Sequence, residues 1–184
     1  MIPSVDMMED VYPVVESKIF VFKSAVATFY APSDVSGITG MRREYIRATS
    51  SWRNGAARYD CVFVNTKADA DGAREFEIAR VFLFFSFSHD DKEYPCAFIQ
   101  WYSFVGTERD KDTGYWVVEP DILDDGSPHV AIIHIDCIVR AVHLMPVTRT
   151  ARFVDSSITM HTSLDKFKHF YLNRFVDHHA FVSL

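Results

Sequence analysis

The chain has 184 residues, 48% apolar and 15% aromatic, enough to bury one sizeable core and inconsistent with a disordered tail. A formal charge of −6 and a pI of about 5.7 exclude a surface that attracts nucleic acid as a whole. No apolar run approaches the ~20 residues that cross a bilayer, and the first residues lack the basic and apolar regions of a signal peptide, so a nuclear or cytoplasmic location off the membrane is expected.

Residues 1–18 mix Met, Asp, Glu and Pro without a period and predict a poorly ordered lead-in. Residues 19–184 predict a single β-rich domain. Residues 19–22 and 25–30 read as strands, stopped by Pro32, and residues 44–49 as a further strand. The Asn54-Gly55 pair predicts a turn that needs positive φ, after which residues 58–64 alternate as a returning strand. Residues 81–87 and 94–104, separated by a Ser-His-Asp-Asp-Lys turn, predict an aromatic hairpin. Further strands follow at 115–118 and 130–135, with loops rich in Asp, Gly and Pro at 68–72, 107–114 and 121–128.

Near the C-terminus the period changes. Leu164, Phe167, Tyr171 and Phe175 recur at helical spacing, and Thr162 with Asp165 resembles an N-terminal cap, so a helix is predicted over 163–177. Together these elements predict a β-rich α+β fold: a small, SH3-like, partly open barrel with extra N-terminal strands, closed by a C-terminal helix. The strand order from Asp60 to Val147 is similar in pattern to the bromo-adjacent-homology and Tudor-like barrels of chromatin proteins.

No catalytic motif with a strong signature is present: the phosphate-binding, dinucleotide-binding, nucleophile-elbow and zincin patterns are all missing. His134 and Asp136 stand two apart on a predicted strand, where alternation would turn both to one face. With His161, His169 or His178 as a third ligand they would make the set of a non-haem iron oxygenase, with Arg140 or Arg149 holding an acid co-substrate. Chance occurrence of the triplet weighs against that reading, and no cofactor is expected. The His178-His179 pair lacks finger-like spacing, and no local motif couples Cys96 or Cys137 to His143. Cys61, Cys96 and Cys137, an odd number in apolar contexts, predict buried reduced thiols.

The charge pattern is more informative. Arg42, Arg43, Arg47, Arg53 and Arg58 share a seventeen-residue window with one acid, Glu44, so the window carries +4 and the remainder −10. Guanidinium groups suit forked contacts with phosphate, and Tyr45, Trp52 and Tyr59 could stack bases beside them. The competing expectation is that these arginines pair with acidic loops of the same chain. Trp101, Tyr102, Tyr115 and Trp116 at strand ends are candidates for an aromatic pocket around a cationic side chain, although alternation lets only two of the four share a site.

Residues 40–49 and 57–64, Ala79-Arg80-Val81, Tyr94-Pro95-Cys96-Ala97, Asp112-Thr113-Gly114-Tyr115-Trp116-Val117-Val118, Ile133-His134-Ile135-Asp136, and residues 140–147 and 175–181 together carry a resemblance. From about Ile19 onward the chain resembles the carboxyl-terminal accessory region of basidiomycete Plavaka-type DNA transposon proteins. The resemblance implies a fungal, transposon-derived nuclear protein whose accessory region trails a DDE-type transposase and carries no assigned catalytic residues. A non-catalytic module contacting DNA, chromatin or a partner protein is therefore expected, with an interaction module lacking nucleic-acid affinity as the alternative.

Overall fold

The structure, a computed structural model, describes residues 18–31, 40–66, 76–148, 156–173 and 175–176. The expected lead-in lies outside these residues apart from Lys18. The first strands are β1 (Phe20–Phe22), β2 (Ser24–Tyr30) and β3 (Met41–Thr49). The next are β4 (Arg58–Tyr59), β5 (Cys61–Asn65), β6 (Phe76–His89) and β7 (Lys92–Phe104). After them come β8 (Val117–Pro120), β9 (Val130–His134), β10 (Ile138–Val142) and β11 (Leu144–Pro146). A one-turn helix, α1 (Ser163–Lys166), precedes β12 (Phe170–Leu172).

The main sheet runs β10-β5-β6-β7-β8-β12-β11, with β1 paired to β6 and β9 to β7. Its two end strands, β10 and β11, are consecutive in the chain and separated only by His143. The sheet therefore nearly closes on itself, an antiparallel barrel-like arrangement that leaves few bare edges. The β6–β7 hairpin turns through Asp90 and Asp91 at φ 49° and 56°, the left-handed pair that a two-residue loop requires.

Alternation decides which core each strand serves. Cys61 and Phe63 point into the barrel with Ile78, Tyr102, Val118, Leu144, Phe170 and Leu172. Val62 and Val64 point the other way, onto Ala79, Val81, Ala97 and Ile99, where the β2–β3 hairpin covers them with Ala27, Ile46 and Ala48. β5 is thus buried on both faces, which explains its unbroken apolar run. A bulge between Val81 and Leu83 breaks the alternation of β6. It lets Phe82 lean on Tyr59, at 5.3 Å between ring centroids.

The helix expected over 163–177 is a single turn. Phe167 is already extended (φ −103°, ψ 152°), and the next strand pairs with β8 on one side and β11 on the other. The apolar stripe that suggested a helix is divided. Leu164 and Phe167 pack on the barrel core, while Tyr171 and Phe175 each lie 5.6 Å from the ring of Tyr115. Backbone pairing on both edges satisfies more polar groups than a solitary helical turn could. Thr162 sits at the N-cap position without a side-chain cap bond, and Asp165 is drawn instead to Arg80. Among the described residues no helix is long and apolar enough to cross a membrane.

All three cysteines are free; Cys61 and Cys96 are buried and Cys137 is half-buried. Burial pushes the Cys61 thiol up to about 12, so almost no thiolate exists near neutrality. An alkylating reagent is expected to label Cys137 well before Cys61 in native protein, read by peptide mass spectrometry. Equal labelling of the two would contradict this packing.

Candidate nucleic-acid interface

The basic segment forms β3 and the turn that follows it. In the β2–β3 register Thr28 faces Arg43, Val26 faces Tyr45 and Ser24 faces Arg47. These residues alternate with Ile46 and Ala48, which are buried in the core, so Arg43, Tyr45 and Arg47 share the outer face. Arg42 does not join them. It lies opposite Phe29 in the register, on the inward side with Glu44, whose Oε2 accepts the Ala141 backbone N–H at 3.1 Å. The neighbouring pair Arg42-Arg43 is split by the pleat.

After β3 the chain turns at Trp52, and Gly55 N–H donates to the Trp52 carbonyl at 2.9 Å. The left-handed residues are Arg53 (φ 50°) and Asn54 (φ 61°), one position earlier than the Asn-Gly pair suggested. Holding a non-glycine residue such as Arg53 there costs on the order of 1 kcal/mol. It places the side chain at the tip of the turn.

Trp52 is the centre of the cluster. The Arg47 guanidinium lies 4.1 Å from its ring centroid, that of Arg53 5.4 Å and that of Arg58 5.7 Å. Arg47 also lies 5.4 Å from the Tyr45 ring and donates to the Tyr45 carbonyl at 3.2 Å. Each such contact is worth about 0.5–1 kcal/mol at an exposed site. One carboxylate organises the group: Asp60 accepts Arg58 Nε at 2.8 Å and the Arg47 backbone N–H at 2.9 Å. Asp60 also marks the kink where the chain leaves β3 and joins β6, its N–H bonded to the Arg47 carbonyl and its carbonyl to Val81 N–H. Arg43 and Arg53 make no ion pair with the described residues. Pairing within the chain thus accounts for Arg58 and leaves Arg43 and Arg53 to solvent.

Beside this face the barrel wall divides. β5 pairs with β10 as far as Cys61 and Val142; beyond that point β4 turns to β3 and β11 turns to β12. The division opens a groove of about 860 Å³. Trp52 and Arg58 stand at its edge, with Arg80, Leu144, Leu164 and Phe167 among its lining. The Arg80 side chain is only 6% exposed, and its Nη1 lies 2.5 Å from Oδ1 of Asp165 on α1. Burial works against the Arg80 charge, but the hydrogen bond and charge of Asp165 outweigh it and keep the guanidinium protonated.

The four strand-end aromatics are not gathered at a single point. Tyr102 is buried in the barrel, edge-on to Phe170 at 6.1 Å, with its phenol pushed up by burial. Trp101 faces the opposite side, 6.4 Å from the His129 ring. Trp116 packs edge-on to Phe104 at 5.6 Å, and Tyr115 is taken by Tyr171 and Phe175. The four rings serve separate packing contacts, and of the four Trp101 and Tyr102 line one pocket of about 610 Å³ together with Phe104, Asp121 and His129.

His134 and Asp136 do come together, though not as strand neighbours, because β9 ends at His134 and residues 135–137 form a 3-10 turn. His134 Nδ1 lies 3.4 Å from Asp136 Oδ2 and accepts the Asp136 backbone N–H at 3.3 Å in a solvent-exposed turn. His169 is engaged by Glu119 at 3.2 Å, Arg140 is buried against Phe29 at 4.6 Å, and Arg149 and His178 lie outside the described residues. Among the described residues no three His, Cys, Asp or Glu side chains are placed to hold a metal.

Sequence reasoning missed Asp60, Arg80 and Asp165. Asp60 had a local signal, a lone acid two residues after Arg58 inside an apolar run. Arg80 and Asp165 are 85 residues apart, and only the fold brings them together. Comparison with protein-family models, with curated proteins and with solved structures finds no match to this chain.

Proposed function

We propose that the chain is a non-catalytic binding module of a transposon-derived nuclear protein, contacting DNA or chromatin through Arg43, Arg47, Arg53 and Arg58. The observation that carries this reading is the Trp52 cluster: three guanidinium groups gathered on one ring, beside Arg43, against the single carboxylate of Asp60. Stacking on Trp52 restricts flexible side chains before any ligand arrives, so less conformational entropy is lost when they meet phosphate. The strongly acidic remainder of the chain would confine an anionic polymer to this patch. The finer SH3-like assignment, with its bromo-adjacent-homology and Tudor-like relatives, and the transposon origin belong to the same proposal, resting on strand order and on the sequence resemblance.

Trp52→Ala tests the reading. Releasing the guanidinium groups is expected to weaken binding to a labelled DNA fragment about tenfold, matching the ~0.5–1 kcal/mol per contact that holds them. Fluorescence anisotropy measures it, with circular dichroism to verify the fold. Unchanged affinity in a folded variant would remove Trp52 from the site.

A second reading, a protein-interaction module without nucleic-acid affinity, is favoured by β1. Ile19, Phe20, Val21 and Phe22 are all exposed, and among the described residues β1 pairs with β6 alone, leaving an apolar edge on which a partner strand could add. Such binding would be insensitive to salt, whereas phosphate binding weakens steeply as salt rises.

A further inference from the structure

We infer that the ligand of the basic face is a single-stranded polynucleotide, and that the groove beside Trp52 receives one of its unstacked bases. This rests on the nucleic-acid reading above and narrows it. The face and the groove are continuous: Tyr45, Trp52 and Arg58 belong to both. Their chemistry differs with depth. Beside the groove Arg53, stacked on Trp52, offers positive charge for phosphates, while Arg58 at the groove itself is already paired with Asp60. At the floor each cation has its own carboxylate, Arg80 with Asp165 and Arg140 with Glu44, so the interior is charge-balanced and suits a neutral group.

The walls suit a base. Leu144, Leu164 and Phe167 supply apolar surface, and Tyr59 an aromatic ring. A paired and stacked duplex keeps its bases from such a recess; a single strand presents ring faces and unpaired edges.

The experiment compares anisotropy titrations of one labelled sequence as single-stranded DNA, single-stranded RNA and DNA duplex at equal salt. Single strands are expected to bind at least about tenfold tighter than the duplex, and the tighter of DNA and RNA identifies the source. Ser163→Trp, which narrows the groove from α1 and leaves Arg43, Arg47 and Arg53 of the basic face in place, is expected to weaken single-strand binding about tenfold while sparing the duplex. Should that variant fail to fold, Met160→Trp replaces it, at a position on the same groove that is 86% exposed. Duplex binding as tight as single-strand binding, or a filled groove that weakens neither, would overturn this inference and leave the basic face standing. Failure of the wild type to bind any of the three would overturn both.

Discussion

Phe170→Ala is expected to lower the free energy of unfolding by about 3–5 kcal/mol, a large part of what a domain of this size possesses. Phe170 is 0% exposed and lies edge-on to Tyr102 at the centre of the barrel. It stands on β12, which bridges β8 and β11, so the ring and the strand pairing close the barrel together. Truncation would leave a cavity bounded by strands from several parts of the chain, which cannot all collapse into it. Urea denaturation followed by intrinsic fluorescence measures the loss. A loss below about 1 kcal/mol would mean that the ring is not enclosed, and would return the segment to a peripheral role.

Asp165→Ala is expected to cost about 2–3 kcal/mol, because it strands a buried guanidinium. This cost sits below the range for a fully buried pair because Asp165 is 58% exposed, and water can take over part of its role. Adding Arg80→Met to Asp165→Ala should recover much of the loss, since it removes the charge that the aspartate substitution leaves uncompensated. Denaturation of the two single variants and the double variant measures this coupling. A strictly additive result would show that the two residues do not depend on each other.

The strands most open to reading from sequence were those with alternation and turn chemistry of their own. β6, β7 and the Asp90-Asp91 turn between them are an aromatic hairpin bounded by polar residues, and the structure forms it where expected. β10 and β11 lacked such marks. The connection from β9 is one 3-10 turn without Gly or Pro, and Arg140 interrupts the apolar pattern although it is buried. β12 was concealed by coincidence: Leu164, Phe167, Tyr171 and Phe175 keep helical spacing while serving two different clusters. Periodicity identifies a face only when one element carries it.

The basic segment was legible as charge but not as geometry. Arg42 and Arg43 count equally in a window of net charge, yet the pleat of β3 sends one inward and one outward. The place of Trp52 beneath three guanidinium groups depends on the turn that follows β3, and that turn sits one residue earlier than the Asn-Gly signal implied. Arg80 resembled any other strand residue. Its burial depends on a carboxylate supplied from far along the chain.

The most direct test of the basic face is the salt dependence of nucleic-acid binding with and without the two arginines that have no carboxylate partner among the described residues. Replacing Arg43 and Arg53 together with Gln should reduce the slope of log K against log salt by about two, roughly one for each phosphate no longer neutralised, with a stability loss no larger than the ~0.5–1 kcal/mol of the Arg53–Trp52 contact. An unchanged slope in the double variant would show that the phosphates are held elsewhere on the protein.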